Sequence, residues 1–363
     1  MGTLIGGIIS LTVFSFSMVM VLLSQASAIF SPRLLPGLIS DKRNQIVLGI
    51  YLGTIIFNII VLISILPTGD EYTLNGFSVL MGIVFGVISL SMFVFFIHSI
   101  STGIQINNIL DKIYDQTKLR IQFLIEQERQ ESTPIETDKN WNSLFSKKSG
   151  YYQGVNLEGL LTFIEENKLN VLVLPYKGKY LLNNMEIIHY DQQIDEDKKV
   201  QLRDFFIYST TNSVSENYVM GIRQISEVGI KAMSPGINDP GTAVMTIDYL
   251  TELLALRMQI DETEVYMCSD GEHKVELTTV DFDELMYQCL AAYRQYCKHD
   301  IILMEKIVLM LKYLLIQTYS IESYITTLTT QLKIVESDIR SNIDNETDRD
   351  KLIGLINKSN RYN

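Results

Sequence analysis

Three long stretches of this chain carry no charged side chain. They run from Leu4 to Phe30, from Ile46 to Leu66 and from Leu74 to Ser101. A helix that crosses ~30 Å of hydrocarbon, rising about 1.5 Å per residue, needs about 20 mostly apolar residues. Because all three stretches reach that length, we interpret them as transmembrane helices and not as buried helices of a soluble core.

The first stretch differs from a secretory signal peptide. Such a peptide has a basic start and an apolar run of about 7–15 residues. No basic side chain precedes Leu4, and the apolar run that follows is longer. We therefore predict a membrane anchor here.

Charge is distributed unevenly along the chain. Its net charge is −12, from 30 basic and 42 acidic residues. Only three residues of each sign precede Asp111, so the whole negative excess lies after residue 110. This division excludes a single soluble globule. It also argues against nucleic acid as a partner, since a nucleic-acid-binding protein needs a basic surface.

The loops between the stretches predict the orientation. The loop from Ser31 to Gln45 is basic, whereas the loop from Pro67 to Thr73 carries only acidic charges. Basic short loops stay in the cytoplasm. We therefore predict an external N-terminus, with everything after Ser101 in the cytoplasm.

Small and polar residues mark candidate faces of the membrane helices. Seven-residue spacing places serines close to one face of the first helix, and the third helix has a GxxxG pair. Small residues allow close helix packing, whereas a line of hydroxyls could instead form a path for ions; both interpretations stay open. The candidate pore or packing residues are Ser10, Ser17, Ser24, Ser27, Asn58, Gly82 and Gly86.

The predicted fold class is three transmembrane α-helices followed by a mainly α cytoplasmic domain with a small α/β unit. We expect a transmembrane region over 1–102, a helical extension of the third span over 103–130 and a linker over 131–150. The α/β unit is expected over 151–192 and the mainly helical part over 193–363. The apolar run from Ile301 to Ile316 contains three charged residues, so we expect a buried bundle helix there and not a fourth span.

Local patterns fill in the α/β unit. Asn156 is expected to cap a short helix. The apolar segments Asn170 to Leu174 and Met185 to Tyr190 are expected to form strands. One further strand is expected outside this unit, at Asp204 to Tyr208 in the mainly helical part.

A second candidate site is a corner between two predicted helices. The segment Ser234-Pro235-Gly236 ends the first helix, and Asp239 caps the second, with Pro240 in its first position. One hypothesis is a purely structural corner. The other is a functional corner in which Arg223 contacts Asn238 or Asp239. The candidate residues are Arg223, Ser234, Pro235, Gly236, Asn238, Asp239, Pro240 and Thr242.

Three segments of the chain resemble a bacterial family of predicted membrane proteins known as domain of unknown function 2254. They run from Ser24 to Thr54, from Phe95 to Gln105 and from Gly221 to Ala243, and the string SPGINDP is the most specific of their motifs. That family usually has one more membrane helix before the point where this chain begins, and an aromatic residue where Gly241 stands. The resemblance implies a bacterial inner-membrane protein with a cytoplasmic domain, and it implies no activity.

Catalytic and cofactor motifs are absent from the sequence. There is no Walker loop, GxGxxG, HExxH or GxSxG pattern, so we expect no enzyme and no cofactor. The three cysteines, Cys268, Cys289 and Cys297, lack CxxC spacing and predict free thiols without a metal site.

Two functional hypotheses remain. The first is a homo-oligomeric channel or transport protein with a cytoplasmic regulatory domain. The second is a membrane-anchored sensor or scaffold that binds a ligand or a protein. The expected partners are the lipid bilayer, further copies of the chain, and ions or a small ligand.

Overall fold

A computed structural model describes residues 1–29, 42–64, 67–68, 71–72, 76–103, 105–127, 135, 141–209, 217–260, 263–317 and 321–358. The chain forms two compact units, Met1–Asp111 and Lys112–Asn363. The predicted fold class is confirmed: apolar N-terminal helices are followed by a mainly helical part that contains small sheets.

The first unit holds the apolar helices. These are α1 (Gly2–Ile29), α2 (Lys42–Ser64) and α3 (Gly76–Gly103). Each contains a segment long and apolar enough to cross a membrane, over Gly2–Val21, Asn44–Ser64 and Gly76–Ile100. Two short strands, β1 (Pro67–Thr68) and β2 (Glu71–Tyr72), pair antiparallel between α2 and α3. Of the basic loop predicted at Ser31 to Gln45, residues 31–41 lie outside the described residues, and residues 42–45 belong to the start of α2.

The three helices pack on one another and present large apolar side chains outward. Tyr51 and Phe96 are fully buried between them, whereas Val13, Ile60 and Val94 are at least 60% exposed. Outward-facing apolar side chains of this kind are what a helix bundle offers to lipid. Helices α1, α2 and α3 therefore form a bundle with a small buried core and an apolar surface.

The sequence predicted a helical extension of the third span over 103–130. Helix α4 covers Ile106–Gln127, and residue 104, which follows the end of α3, lies outside the described residues. From Lys112 onward this helix is part of the second unit, where Ile113, Thr117 and Ile121 are buried.

The second unit combines two sheets with a helical bundle. Its strands are β3 (Asn142–Phe145), β4 (Gly150–Val155), β5 (Val171–Val173), β6 (Tyr180–Leu181), β7 (Glu186–Tyr190), β8 (Phe206–Ser209), β9 (Thr263–Met267) and β10 (Lys274–Thr278). Its helices after α4 are α5 (Leu157–Asn167), α6 (Glu196–Asp204), α7 (Tyr218–Ala232), α8 (Pro240–Arg257), α9 (Phe282–Cys297), α10 (Ile301–Ile316), α11 (Glu322–Asn342) and α12 (Glu346–Asn357).

The larger sheet joins distant parts of the chain. Its strand order is β3-β7-β5-β10-β9, and only the β5–β10 pair is parallel. The smaller sheet has the antiparallel order β6-β4-β8. A shared apolar core lies against both sheets and includes Leu160, Ile164, Val171, Ile188 and Leu202.

Two predicted segment boundaries differ from the structure. The interval 131–150, predicted as a linker, contains β3, because pairing with β7 supplies backbone partners that its polar sequence did not suggest. Residues 128–134 and 136–140 of the same region lie outside the described residues. The interval 193–363 was predicted as mainly helical with one strand at Asp204 to Tyr208, and β8 (Phe206–Ser209) is that strand. The interval also contains the β9–β10 hairpin, which was not predicted and which extends the sheet of the α/β unit.

The bundle is built around two apolar helices. Helix α7 packs against α8 and α9, and α10 packs against α8, α11 and α12. Leu303, Ile307 and Leu311 of α10 are fully buried. The apolar run at 301–316 is thus the bundle helix that the sequence predicted.

Candidate functional site

The predicted corner is a tightly bonded turn between α7 and α8. The backbone N–H of Asp239 donates to the carbonyl of Ala232 over 2.8 Å, and the N–H of Asn238 donates to the carbonyl of Ser234 over 3.0 Å. Asn238 has φ of 49°, a left-handed conformation that asparagine tolerates better than most residues. The turn therefore holds its shape through its own backbone.

Asp239 acts as the helix cap that the sequence predicted. Its Oδ1 accepts from the N–H of Thr242 over 3.1 Å, and its Oδ2 accepts from the Thr242 hydroxyl over 2.6 Å. Pro240 occupies the start of α8. Both carboxylate oxygens are bonded within the corner, and these bonds hold the Asp239 side chain in its capping position.

The other corner residues lie at the surface or elsewhere. Ser234 is half-buried, and Pro235 and Gly236 are exposed. The predicted contact from Arg223 to Asn238 or Asp239 is not found among these described residues. Arg223 instead donates from Nε to Oε1 of Gln288 on α9 over 2.8 Å. It lies about nine residues before the end of α7, roughly 14 Å along the helix axis, and therefore packs α7 against α9.

Helix α7, which carries much of the specific motif, is the most buried helix of the second unit. Gly229 faces the paired hydroxyls of Thr246 and Tyr293, which are 2.6 Å apart. Gly221 lies against Thr117 of α4. A Cβ at either glycine would overlap these side chains, so both glycines permit the close approach of neighbouring helices.

The GxxxG pair of the membrane helices packs inside the three-helix bundle. A Cβ on Gly82 would lie 2.5 Å from Oδ1 of Asn58, and one on Gly86 would lie 3.0 Å from Cδ1 of Leu4. The Asn58 amide donates to the carbonyl of Thr54 over 2.8 Å and is fully buried. These residues therefore belong to packing within one chain.

The serine face of α1 points away from the bundle. Ser10, Ser17 and Ser24 are exposed, and the Ser10 hydroxyl donates back to the carbonyl of Gly6 over 2.9 Å. Ser27 lies within α1, but its side chain is outside the described residues. The predicted serine face is thus separate from the glycine face of α3.

A cavity that the sequence did not reveal lies where α4, α7 and the two sheets meet. Its volume is about 40 Å³. We call it the α4–α7 pocket. It is lined by Arg120, Leu124, Tyr152, Tyr176, Lys177, Asn217, Tyr218, Val219, Glu264, Leu277, Thr278, Thr279 and Val280.

Two cations of the α4–α7 pocket have no ion-pair partner within the described part of the chain. Neither Arg120 nor Lys177 forms an ion pair with a described residue, although Lys118, on the same helix as Arg120, is paired with Glu252. The Nε atom of Arg120 is buried and has no hydrogen-bond partner among the described residues. A buried donor without a partner costs about 1–3 kcal/mol, so this group favours an added acceptor.

The turn that carries Lys177 is fastened on two sides. The N–H of Gly178 donates to the carbonyl of Tyr152 over 2.7 Å, and Nδ2 of Asn217 donates to the carbonyl of Lys177 over 3.0 Å. A bulge between Tyr152 and Gly154 interrupts the pairing of β4 with β8 at this point. Gly154 has φ of 137°, and the Lys177 side chain passes over it. The pocket wall is therefore fixed by backbone contacts.

Tyr152 provides a neutral hydroxyl beside these cations. Burial raises the pKa of the Tyr152 phenol, and electrostatic interactions with the Glu264 carboxylate and then the Tyr208 phenol raise it further. The hydroxyl therefore stays protonated at neutral pH and can donate a hydrogen bond.

The described part of the chain contains no group of three or more histidine, cysteine or acidic side chains that could hold a metal ion. Cys268, Cys289 and Cys297 are free and buried.

These observations define a helical membrane protein whose second unit contains a pocket lined by cations. Residues 1–313 match the family described as "Predicted membrane protein (DUF2254)". The chain belongs to this family, and the resemblance seen in the sequence is confirmed.

The curated relatives of the chain are described as uncharacterized proteins. Matches to Mycobacterium tuberculosis (strain CDC 1551 / Oshkosh) and to Mycobacterium bovis are 25% identical over 269 residues, or 69% of this chain. The alignments cover 49% of each relative, so the chain spans about half the length of the curated relatives it matches. No solved structure matches the chain.

Proposed function

We propose that the protein is a membrane-anchored sensor. In this proposal, a small ligand in the α4–α7 pocket acts on the membrane helices through α4. The observation that carries the proposal is the position of Arg120 and Leu124, which line the pocket from the helix that follows α3 in the chain. A ligand between α4, α7 and the sheets would change how α4 is held.

The attachment of α4 to α8 supports this role. Tyr114 donates to Oε2 of Glu252 over 2.5 Å, and its ring lies 4.5 Å from the ring of Tyr249. Lys118 pairs with Oε1 of the same glutamate over 2.5 Å. Both Lys118 and Glu252 are substantially exposed, so these bonds are weak enough to be exchanged when the pocket is occupied.

The test fills the pocket without a ligand. Thr278→Phe places a ring in the α4–α7 pocket, and Thr326→Phe makes the same change on the exposed face of α11 as the matched control. Hydrogen–deuterium exchange is measured on the full chain in lipid nanodiscs. We expect Thr278→Phe, but not the control, to change exchange in peptides from Gly76–Gly103. Changes confined to the second unit would contradict a sensor role.

A homo-oligomeric channel is the second candidate. The outward serine face of α1 favours it, together with Gly6 and Gly7, where an added Cβ would meet no other atom within 4 Å. Small residues left open on a membrane helix allow a second copy to approach closely. Three membrane helices are too few to enclose a pore, so this function depends on oligomerisation.

Oligomeric state and ion flux test the channel together. Ser17→Leu adds bulk to the serine face, and Ser91→Leu adds the same bulk to an exposed position of α3. Under the channel hypothesis, native mass spectrometry gives a closed oligomer that only Ser17→Leu disrupts, and liposomes with wild type conduct ions. A monomer, or flux equal to that of protein-free liposomes, would exclude this function.

We further infer a bacterial inner-membrane location with the N-terminus outside and the second unit in the cytoplasm. The charge difference between the loops supports this orientation. Fusing a periplasm-active reporter to the C-terminus of the full chain tests it. An inactive reporter is expected, and an active one would reverse the topology.

A further inference from the structure

We propose that the α4–α7 pocket binds a small oxyanion, a carboxylate or phosphate group, between Arg120 and Lys177. This inference names the ligand class of the proposed sensor and rests on that proposal for its biological role. The binding itself depends only on the pocket.

Arg120 is arranged to receive an acceptor. Its guanidinium lies over the ring of Phe123, with 5.2 Å between Cζ and the ring centroid. The ring accepts no conventional hydrogen bond from the guanidinium, whose N–H groups include the Nε atom that lacks a partner among the described residues. Carboxylate and phosphate match these N–H groups because two of their oxygens can accept two parallel N–H bonds.

A second positive element comes from the start of α7. Asn217 caps this 15-residue helix, with its Oδ1 accepting from the N–H of Val219 over 3.1 Å, and Asn217, Tyr218 and Val219 line the pocket. The N-terminus of a helix carries a partial positive charge and favours anions. Lys177 is held beside this turn by the bond from Asn217 to its carbonyl. Two cations and a helix start therefore converge on one cavity in a chain whose net charge is −12.

Glu264 opposes an anion, but part of its capacity is already used. Its Oε2 accepts from the Tyr266 hydroxyl over 2.8 Å. The pocket lining contains two cations against this one carboxylate, so its formal charge is positive. Removing the charge of Glu264 should therefore strengthen anion binding, a result that a purely structural pocket would not give.

The cavity is large enough for the proposed group. Its volume of about 40 Å³ exceeds the ~10–15 Å³ that a single water molecule needs. The space therefore accommodates a carboxylate or phosphate group, as a free anion or as the anionic end of a larger ligand.

Binding is measured on the full chain in phosphatidylcholine nanodiscs, by calorimetry and thermal shift, with inorganic phosphate and acetate against chloride at equal ionic strength. We expect phosphate or acetate to bind wild type. Arg120→Gln and Lys177→Gln should each weaken binding about tenfold, because each removes a charge-assisted contact. Arg120→Lys keeps the charge without the parallel N–H pair, so its affinity for the anion should lie between those of wild type and Arg120→Gln. Arg340→Gln, on exposed α11, is the control and should bind as wild type does.

Two results would overturn the oxyanion site. The first is that wild type binds neither phosphate nor acetate more tightly than chloride. The second is that Arg120→Gln or Glu264→Gln binds the anion with the same affinity as wild type. A further arm adds phosphatidic acid to the nanodiscs: competition with free phosphate identifies a lipid headgroup as the source, and its absence identifies a soluble anion.

The two proposals fail separately. Oxyanion binding without a change of exchange in Gly76–Gly103 would contradict the sensor and leave the site intact. An effect of Thr278→Phe on those peptides, with no anion bound by wild type, would keep the sensor and remove the oxyanion.

Discussion

Lys118 and Glu252 form an ion pair between α4 and α8, with 2.5 Å between Nζ and Oε1. The pair joins the helix that follows the membrane region to the helix that follows the predicted corner. Its partners are 32% and 51% exposed, so we expect it to stabilise the fold by about 1 kcal/mol or less.

The contribution of this pair depends on pH. Hydrogen bonds from Lys118 and then Tyr114 lower the pKa of Glu252 below its ordinary value of 4.5. A lowered carboxyl pKa gives stability that is present at pH 7 and is lost as pH falls through 4.5 toward the lowered value. Glu252→Gln should therefore destabilise the full chain at pH 7 and less so near pH 4, as measured by thermal unfolding in detergent.

Glu126→Gln is the control for that comparison, because Glu126 is an exposed residue of the same helix. It should leave stability unchanged at both pH values. A difference between Glu252→Gln and wild type that stays constant from pH 7 to pH 4 would refute the role of the ion pair.

Gly229 should tolerate no larger residue. Gly229→Ala would drive its Cβ into the hydroxyls of Tyr293 and Thr246, both fully buried, so we expect a loss of about 3 kcal/mol or more. Gly236→Ala adds the same methyl at the corner, where an added Cβ has no neighbour within 4 Å, and should be nearly neutral. Denaturant unfolding compares the two variants; equal stability would show that α7 is not packed as described.

Arg257 should not be replaceable by lysine. It is fully buried, and its Nη1 and Nη2 donate to the carbonyls of Ile260 and Val280 over 2.6 and 2.8 Å. A lysine cannot span both acceptors, so Arg257→Lys should destabilise the protein by about 1–3 kcal/mol. Arg340→Lys, at an exposed position of α11, serves as the comparison and should have no measurable effect. Indistinguishable unfolding curves for the two variants would contradict a stabilising role for the two hydrogen bonds that Arg257 donates.

The cysteines should be inert in the folded protein. Burial raises the pKa of Cys268 and of Cys289 to about 11, and that of Cys297 to about 12. Since the thiolate is the reactive form, a thiol reagent at pH 7 should modify wild type only after denaturation. Rapid labelling of the native chain would contradict their burial.

The sequence predicted those features that depend on residues close together in the chain. The length of the apolar stretches predicted the three candidate spans, and the caps at Asn156 and Asp239 were placed correctly because each bonds within four residues. The β9–β10 hairpin was missed, although Asp270-Gly271 between alternating segments is a hairpin signal. Its place in the sheet could not be deduced, because that depends on parallel pairing of Val275 with the distant Val171.

The pocket was not predictable for a related reason. Arg120, Tyr152, Lys177 and Thr278 come from four separate elements, and no spacing in the sequence links them. The predicted corner, by contrast, lies within one short segment that fulfils its own hydrogen bonds. A continuous motif thus indicated the packing of α7, while the cavity beside it depends on long-range contacts.

The parallel pairing of β5 with β10 also determines when the larger sheet can form during synthesis of the chain. About 100 residues separate these strands, so at 5–20 residues per second β5 leaves the ribosome roughly 5–20 s before its parallel neighbour exists. During that interval the edge of β5 is open to pairing with other chains. The apolar helices emerge well before this step, so the nascent chain reaches the membrane with an unfinished sheet.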